Sequence, residues 1–513
     1  LLDEWALPYL NPRKLGAKMD GSTDDVPAAT TCVAYLGGKP AALMIDQPMR
    51  LASAHTWPAN VQLHFMGEGR FIYEAPLTLN GAFHAGPQQI FMPSGVSASL
   101  AGRPLIRGVY PEWFGAPVNG TDSDVAATQL AFQLAALVNY LPVCLLNRDY
   151  RWDAQVLGGG STGQSFNGVG LHGIPGTRIL CAGIPQVGPG TAALRYRGGS
   201  GQMSKIRVKD IEWQGDANTI CVEFAGQGGA KAVRNRFGLS ARGLRLHNQD
   251  VNSFTEYCTA EACQFDSNCA VGVEYLVTAG KDSFHGSGLT QRCRVNTNGG
   301  TVVRIGAGAK VYNAPLDVQV WATGAATLVQ NDSTKPTLLE GKVTYEVTDP
   351  DTLVLGAGGS IPFAGPIVGT GEGVSAGTLF QVDAAVINSD STITTLGGRK
   401  SYEALITTGA NTLPSSFATR HRRVWLQFEM ANYDYRFEGI VDHNGYGNPG
   451  KWTQTSNDLS VNGAGFGAPT FAVDTSGRLV ATNAAWPASG VQCVYSEIPI
   501  AGGMLQDHHT QAL

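Results

Sequence analysis

The chain has 513 residues, of which 65 are glycine, with 36 Lys and Arg against 41 Asp and Glu for a net charge of −5. Charged residues make up 15%, below the usual quarter or so, which fits many turns and many uncharged strands and leaves no basic footprint for nucleic acid. The longest apolar region, 127–146, is broken by Gln129, Gln133, Asn139 and Pro142, so no membrane-inserted helix is expected; the length calls for several domains or one long solenoid.

The chain opens Leu1-Leu2-Asp3-Glu4 without Met or a signal-like run, as expected of a fragment or processed product. Residues 1–107 contain alternating segments such as Val61-Gln62-Leu63-His64-Phe65-Met66, which predict a small β-rich prelude. Within it, 15–28 is a weak copy of a segment 99 residues later, matching at Gly16/Gly115, Gly21/Gly120, Asp25/Asp124, Val26/Val125 and Ala28/Ala127. Self-similarity of this kind points to a repeat architecture.

The second copy follows Tyr110-Pro111-Glu112-Trp113-Phe114-Gly115-Ala116. Its glycines allow tight turns, and Asp122 or Ser123 is placed to cap a helix starting near Asp124. Leu130, Leu134, Leu137 and Val138 give that helix one apolar face, and it ends before Pro142. An Asp-x-Asp calcium loop fits poorly, because the twelfth-position Glu is missing. Val143–Leu146 and Asp149-Tyr150-Arg151-Trp152 read as the first strands of a body extending to residue 395.

This opening resembles that of the pectate-lyase-like right-handed parallel β-helix of bacteriophage tailspikes and polysaccharide depolymerases, in which a short helix caps the first coil. The resemblance covers 108–155 closely and the repetitive region beyond it loosely. It implies an all-β protein: an N-terminal prelude (1–107), a β-helix with an active groove (108–395) and a C-terminal β-sandwich (396–513). It also implies a homotrimer in the virion tail, joined to the tail or baseplate through a missing N-terminal region. Such a tailspike would bind and cleave bacterial surface polysaccharide, O-antigen or capsule.

Between 200 and 335 an apolar anchor is followed nine or ten residues later by an apolar–polar–apolar triplet. Trp213 precedes Val222-Glu223-Phe224, Leu246 precedes Thr255-Glu256-Tyr257, Phe265 precedes Val273-Glu274-Tyr275, and Val295 precedes Val303-Arg304-Ile305. Val320 with Leu328-Val329-Gln330 continues the series. Strand side chains alternate between faces, so the triplets predict an outward ladder of Glu223, Glu256, Glu274 and Arg304 on rungs about 4.8 Å apart. Two further outward rows flank the anchors: Gln214, His247, Asp266, Asn296 and Trp321 after them, and Glu212, Arg245, Gln264, Arg294 and Gln319 before them. Nine cysteines without zinc-type spacing are expected to be free and buried between coils.

From 396 the pattern changes to clean alternation, as in Val424-Trp425-Leu426-Gln427-Phe428-Glu429-Met430, with the turn-rich spacer 444–450 beyond it. This predicts a β-sandwich used for trimerisation or for binding carbohydrate through Trp425, Tyr433, Tyr435 or Trp452.

Stacked carboxylates repel, which would raise the pKa of at least one and set an acid beside a base, the pair that glycoside hydrolysis requires. Glu256 is the first catalytic candidate, with Glu274 and Glu223 as partners. His247, Asp266 and the loop holding His285 compete. Substrate contacts are assigned to Arg304, Arg294, Trp321 and His285. A lyase acting on a uronic-acid polymer, with His247 or His285 as base beside Arg294 or Arg304, and a non-enzymatic adhesin are the alternatives. No phosphate loop, zinc-protease signature or nucleophile elbow is present, and no cofactor or metal is assigned.

Overall fold

The computed structural model describes residues 9–138, 141–158, 168–184, 191–197, 206–249, 254–279, 281–322, 326–335, 339–347, 353–358, 361–371, 380–387, 393–395, 400–406, 409–412, 421–430, 433–442, 451–461, 469–473, 479–483 and 491–499. Two compact units divide the chain, Leu1–Gly288 and Leu289–Leu513.

In the first unit the β-rich prelude is itself a parallel coil. Ala41–Ile45 pairs in parallel with Val61–Phe65, Pro48–Leu51 with Arg70–Tyr73, and His55–Trp57 with Leu77–Leu79, so each coil spends one strand on each of three sheets. The alternation read from the sequence explains the packing: Val61, Leu63 and Phe65 point into the core while Gln62 and His64 do not. Aromatic rings stack up the interior, with Trp57 on Phe71 at 5.9 Å and 11° and Phe65 edge-on to Phe71 at 5.1 Å.

The 99-residue self-similarity is structural as well. Helix α1 (Val26–Leu36) precedes the first set of coils and α2 (Val125–Leu137) precedes the second. Gly16 and Gly115 close matching 3-10 turns with φ +96° and +84°, and Gly21 and Gly120 both have φ +74°. Met19 and Val118, also 99 apart, share left-handed φ values of +52° and +50°. The reason lies in the two aspartates. The Asp25 carboxylate accepts the amides of Lys18 (2.7 Å) and Met19 (3.1 Å), and the Asp124 carboxylate accepts those of Val118 (2.9 Å) and Arg151 (2.8 Å). Each therefore pins the loop that enters its helix.

Of the two predicted caps, Ser123 accepts the Val125 amide at 3.5 Å, whereas Asp122 accepts from the Asn119 side chain and Asp124 makes no side-chain cap. The face of α2 that packs down is Ala127, Ala131, Phe132, Leu134 and Ala135, with Val138 just beyond, whereas Leu137 is exposed. Small residues let the helix lie close over the coil end, as the end of a solenoid requires.

Beyond α2 the coils again use three strands each. Three successive coils carry the site: β1 (Arg207–Lys209), β2 (Glu212–Gln214) and β3 (Ile220–Ala225); β4 (Lys231–Val233), β5 (Arg236–Phe237) and β6 (Arg242–Asn248); β7 (Thr259–Glu261), β8 (Gln264–Phe265) and β9 (Val271–Val277). All pairings between them are parallel, β1-β4-β7, β2-β5-β8 and β3-β6-β9. Like residues meet in the core: Trp213, Phe237 and Phe265 are in register, and the last two rings stack at 4.9 Å and 19°. The nine cysteines are free, eight buried and Cys144 half-buried.

The second unit begins with parallel rungs in which Val295 pairs with Val320, as the repeat predicted, whereas Val303 pairs with Val329 and Arg304 with Gln330, one residue on from the predicted Leu328-Val329-Gln330 triplet. Its C-terminal part is antiparallel. One sheet has the order Lys400–Ile406, Val491–Pro499, His421–Met430, Tyr433–Asp442, Lys451–Val461, and a second has Gly409–Thr412, Leu479–Asn483, Thr470–Val473. Phe471 of the small sheet meets Phe437 at 5.1 Å and Trp452 at 5.3 Å on the large one, which makes the pair a sandwich. The side chains of Trp425, Tyr433 and Tyr435 and the spacer 444–450 lie outside the described residues.

Asp124→Ala strands two amides, one of them inside the first coil, and is expected to lower unfolding free energy by about 3 kcal/mol. Asp122→Ala, on the exposed side of the same loop, should change it by less than about 0.5 kcal/mol, both read from urea melts.

Candidate functional site

The register decides which residues form columns, and it revises the predicted ladder. Glu223 on β3 pairs with Arg245 on β6, and Arg245 pairs with Glu274 on β9. One coil earlier, Arg195 pairs with Glu223. The column is therefore Arg195, Glu223, Arg245, Glu274, alternating in sign, with spacings of 22 and 29 residues after Glu223. Glu256 belongs elsewhere, bridged to Gly228 at the turn before β4. The apolar–polar–apolar triplet of the middle coil is Leu244-Arg245-Leu246, and its anchor is Phe237. Reading Leu246 as the anchor slipped that coil by one sheet.

Nor does the column face solvent. Glu223, Arg245, Glu274 and His247 are 3%, 3%, 5% and 5% exposed. Glu223 lies 2.8 Å from Arg195 Nε, 3.8 Å from Arg245 Nη1 and 3.1 Å from His247 Nδ1. Arg245 donates to Glu274 through Nε and Nη2 at 2.7 Å each, and Arg242 Nε lies 2.9 Å from the other Glu274 oxygen. His247 Nε2 is 2.9 Å from the Thr278 hydroxyl. Burial alone would raise the pKa of Glu223, but the His247 hydrogen bond and the charges of Arg195 and Arg245 outweigh it and hold the carboxyl below its ordinary range. The expected repulsion between stacked acids is absent because arginine stands between them. A buried, paired, ionised carboxylate is poorly placed to protonate a glycosidic oxygen, so this network reads as structural.

The accessible chemistry lies on the next sheet. Asp149, Arg178, Glu212, Arg236 and Gln264 occupy consecutive rungs in register. Arg178 grips Asp149 with two bonds of 2.7 and 2.5 Å. Arg236 binds Asp266 through Nε at 2.8 Å and lies 3.8 Å from Glu212 through Nη1. Gln214 donates to Glu212 at 2.6 Å and Gln264 to Asp266 at 2.8 Å. The Glu212 and Asp266 side chains are partly exposed, at 26% and 20%. Because both approach one guanidinium, their nearest carboxylate oxygens lie no more than roughly 9 Å apart, a bound that admits the separations of both retaining and inverting glycosidases. Glu212 and Asp266 were legible in the flanking rows; Arg236 was missed because its strand is only two residues long and ends at glycine.

The remaining predicted residues are dispersed. His285 is half-buried beside Tyr257, at 5.0 Å and 71° between rings. In the second unit Arg294 pairs with Gln319 and Asn296 with Trp321, as the flanking rows predicted. Trp321 is 37% exposed there, and Arg304 binds Asp332 at 2.9 Å. Among the described residues no three His, Cys, Asp or Glu side chains converge on a metal position.

No family model and no curated protein matches the chain. Among solved structures it is similar to a tailspike protein of Acinetobacter phage vB_ApiP_P1, at 12% identity over 96% of this chain and 88% of that one, with a TM-score of 0.19. An exopolygalacturonase from Thermotoga maritima matches at 11% identity over 76% and 96%, with a TM-score of 0.23. A tailspike of Acinetobacter baumannii bacteriophage Fri1, described as a capsular polysaccharide depolymerase, matches at 9% identity over 96% and 86%, with a TM-score of 0.15. The parallel β-helix assignment rests on the strand register itself.

A depressed carboxyl pKa in the fold contributes stability that is fully present above the group's ordinary value, near 4.5 for Glu223, and is lost as pH falls through the folded value. Glu223→Gln is accordingly expected to lose about 3 kcal/mol at neutral pH by leaving buried arginine under-compensated. The gap to the unsubstituted chain should close in urea melts taken at progressively lower pH.

Proposed function

We propose that the chain is a tailspike-type depolymerase that binds a bacterial surface polysaccharide, O-antigen or capsule, and cleaves it within the chain by carboxylate-pair hydrolysis. The observation that carries this reading is the open face of β2, β5 and β8, where Glu212 and Asp266 share Arg236 and are flanked by Gln214 and Gln264. Such a row offers donors and acceptors to sugar hydroxyls along several rungs. One carboxyl in its protonated form assists the leaving oxygen while the other acts as nucleophile or activates a water. Asp266 is kept from the sequence reading as a catalytic residue, and Glu212 replaces the Glu223, Glu256 and Glu274 ladder as its partner. Arg294, Arg304, Trp321 and His285 remain proposed substrate contacts.

In this reading residues 108–395 form the active β-helix, and 396–513 serve trimerisation or carbohydrate binding. The working form is a homotrimer in the phage tail, acting at the host surface. Arg236 also favours a second reading. A cation held between two carboxylates would neutralise a uronic acid while one of them abstracts the proton, which is lyase chemistry.

Incubation with purified surface polysaccharides, followed by reducing ends and by the ultraviolet absorbance of unsaturated uronates, separates the outcomes. Hydrolysis gives reducing ends alone, elimination gives both signals, and binding without shortening identifies an adhesin. Asp266→Asn and Glu212→Gln should each lower turnover by about 10³-fold or more while altering stability by less than about 1 kcal/mol. Glu274→Gln should do the reverse, losing stability but not turnover per folded molecule. Undiminished turnover in both Asp266→Asn and Glu212→Gln would sink the pair.

A further inference from the structure

Three successive coils turn one corner at Gly229, Tyr257 and Gly286, and each is left-handed there, with φ +73°, +54° and +61°. The backbone sets the alignment: the Gly229 N–H donates to the Glu256 carbonyl and the Tyr257 N–H to the His285 carbonyl, both at 2.8 Å. Glycine adopts this conformation freely, whereas a bulky side chain is strained in it. Two of the three positions hold glycine. The middle one holds tyrosine, and it gains little from burial, since 45% of it is exposed.

The surroundings leave room for the ring. A Cβ on Gly286 would fall 2.6 Å from Tyr257 Cδ1 and 2.9 Å from Cε1, so a glycine is needed there for the ring to lie as it does. His285 meets the ring edge-on. Glu256, half-buried, has Gly228 as its bridge partner, so the preceding coil places no side chain opposite it. Left-handed non-glycine corners recur in these coils at Asp210, Arg234 and Ala262, and what sets Tyr257 apart is a ring that rests on Gly286 and His285 while 45% of the residue stays exposed.

We infer that Tyr257 is a stacking platform for one pyranose ring of the bound polysaccharide, a binding subsite separate from the Glu212 and Asp266 pair. A pyranose presents an apolar C–H face, and a tyrosine ring is a flat, amphipathic counterpart with few torsions to freeze. Glu256 supplies an acceptor for the sugar's hydroxyls, and His285 holds the tilt of the ring. The inference rests on the polysaccharide reading above.

Its test uses the full chain carrying Asp266→Asn, so that the polymer stays intact, titrated calorimetrically against a panel of purified O-antigen and capsular polysaccharides. Adding Tyr257→Gly should weaken Kd by about tenfold. The same change should leave Tm unchanged or raise it, because glycine relieves the left-handed strain, and Tyr257→Trp should retain the affinity. Undiminished affinity in Tyr257→Gly overturns the platform. So does a fall in its Tm, which would make the tyrosine a packing residue. If a polysaccharide is bound but never shortened by the unsubstituted chain, cleavage fails and the Tyr257 comparison still decides the subsite. If neither chain binds any member of the panel, both readings fall.

Discussion

The constraint on which the rest of this structure depends is the parallel backbone register between coils. Strand amides and carbonyls are satisfied by the coil before and the coil after, so a residue's neighbours are fixed by hydrogen bonding at a spacing of about 4.8 Å whatever the intervening loop does. Side chains are then obliged to suit the residue one coil away. Inside, this produces aromatic stacks such as Phe237 on Phe265. Outside, it forces unlike charges together, as in Asp149, Arg178, Glu212 and Arg236.

The same constraint separates two kinds of charged column. On β3, β6 and β9 Glu223, Arg245 and Glu274 are buried, and the desolvation of the carboxylates is offset by arginines, Arg195 and Arg245 on either side of Glu223 and Arg242 with Arg245 at Glu274. On β2, β5 and β8 the charged side chains stay partly wet, so the carboxylates keep access to solvent. Exposure, not composition, distinguishes the two columns.

Tandem organisation follows from the ends of a solenoid. A coil stack exposes its last apolar layer unless something covers it, and both α1 and α2 stand at the start of a stack. Asp25 and Asp124 each accept the matching loop amide, Met19 and Val118, because both loops must turn through the same left-handed positions, Met19 with Gly21 and Val118 with Gly120. A recurring geometric task has kept the same residues 99 positions apart.

Strand alternation, glycine turns and the repeated motif were enough to read an all-β coil, a short covering helix, free buried cysteines and a C-terminal change to antiparallel sheet. Those features are local, since side-chain alternation and turn chemistry act within a few residues. Arg294 beside Gln319 and Asn296 beside Trp321 were also legible, because their anchors are regularly spaced. The middle coil was not. Leu246 and Leu244 fit an anchor and a triplet equally well, and the true anchor Phe237 sits on a two-residue strand between Arg236 and Gly238. Choosing between those phases needs the length of each loop in space, which no local pattern carries. Tertiary structure alone therefore decided that Arg245 and not Glu256 stands between Glu223 and Glu274, that this column is buried, and that Glu212 and Asp266 meet at one guanidinium.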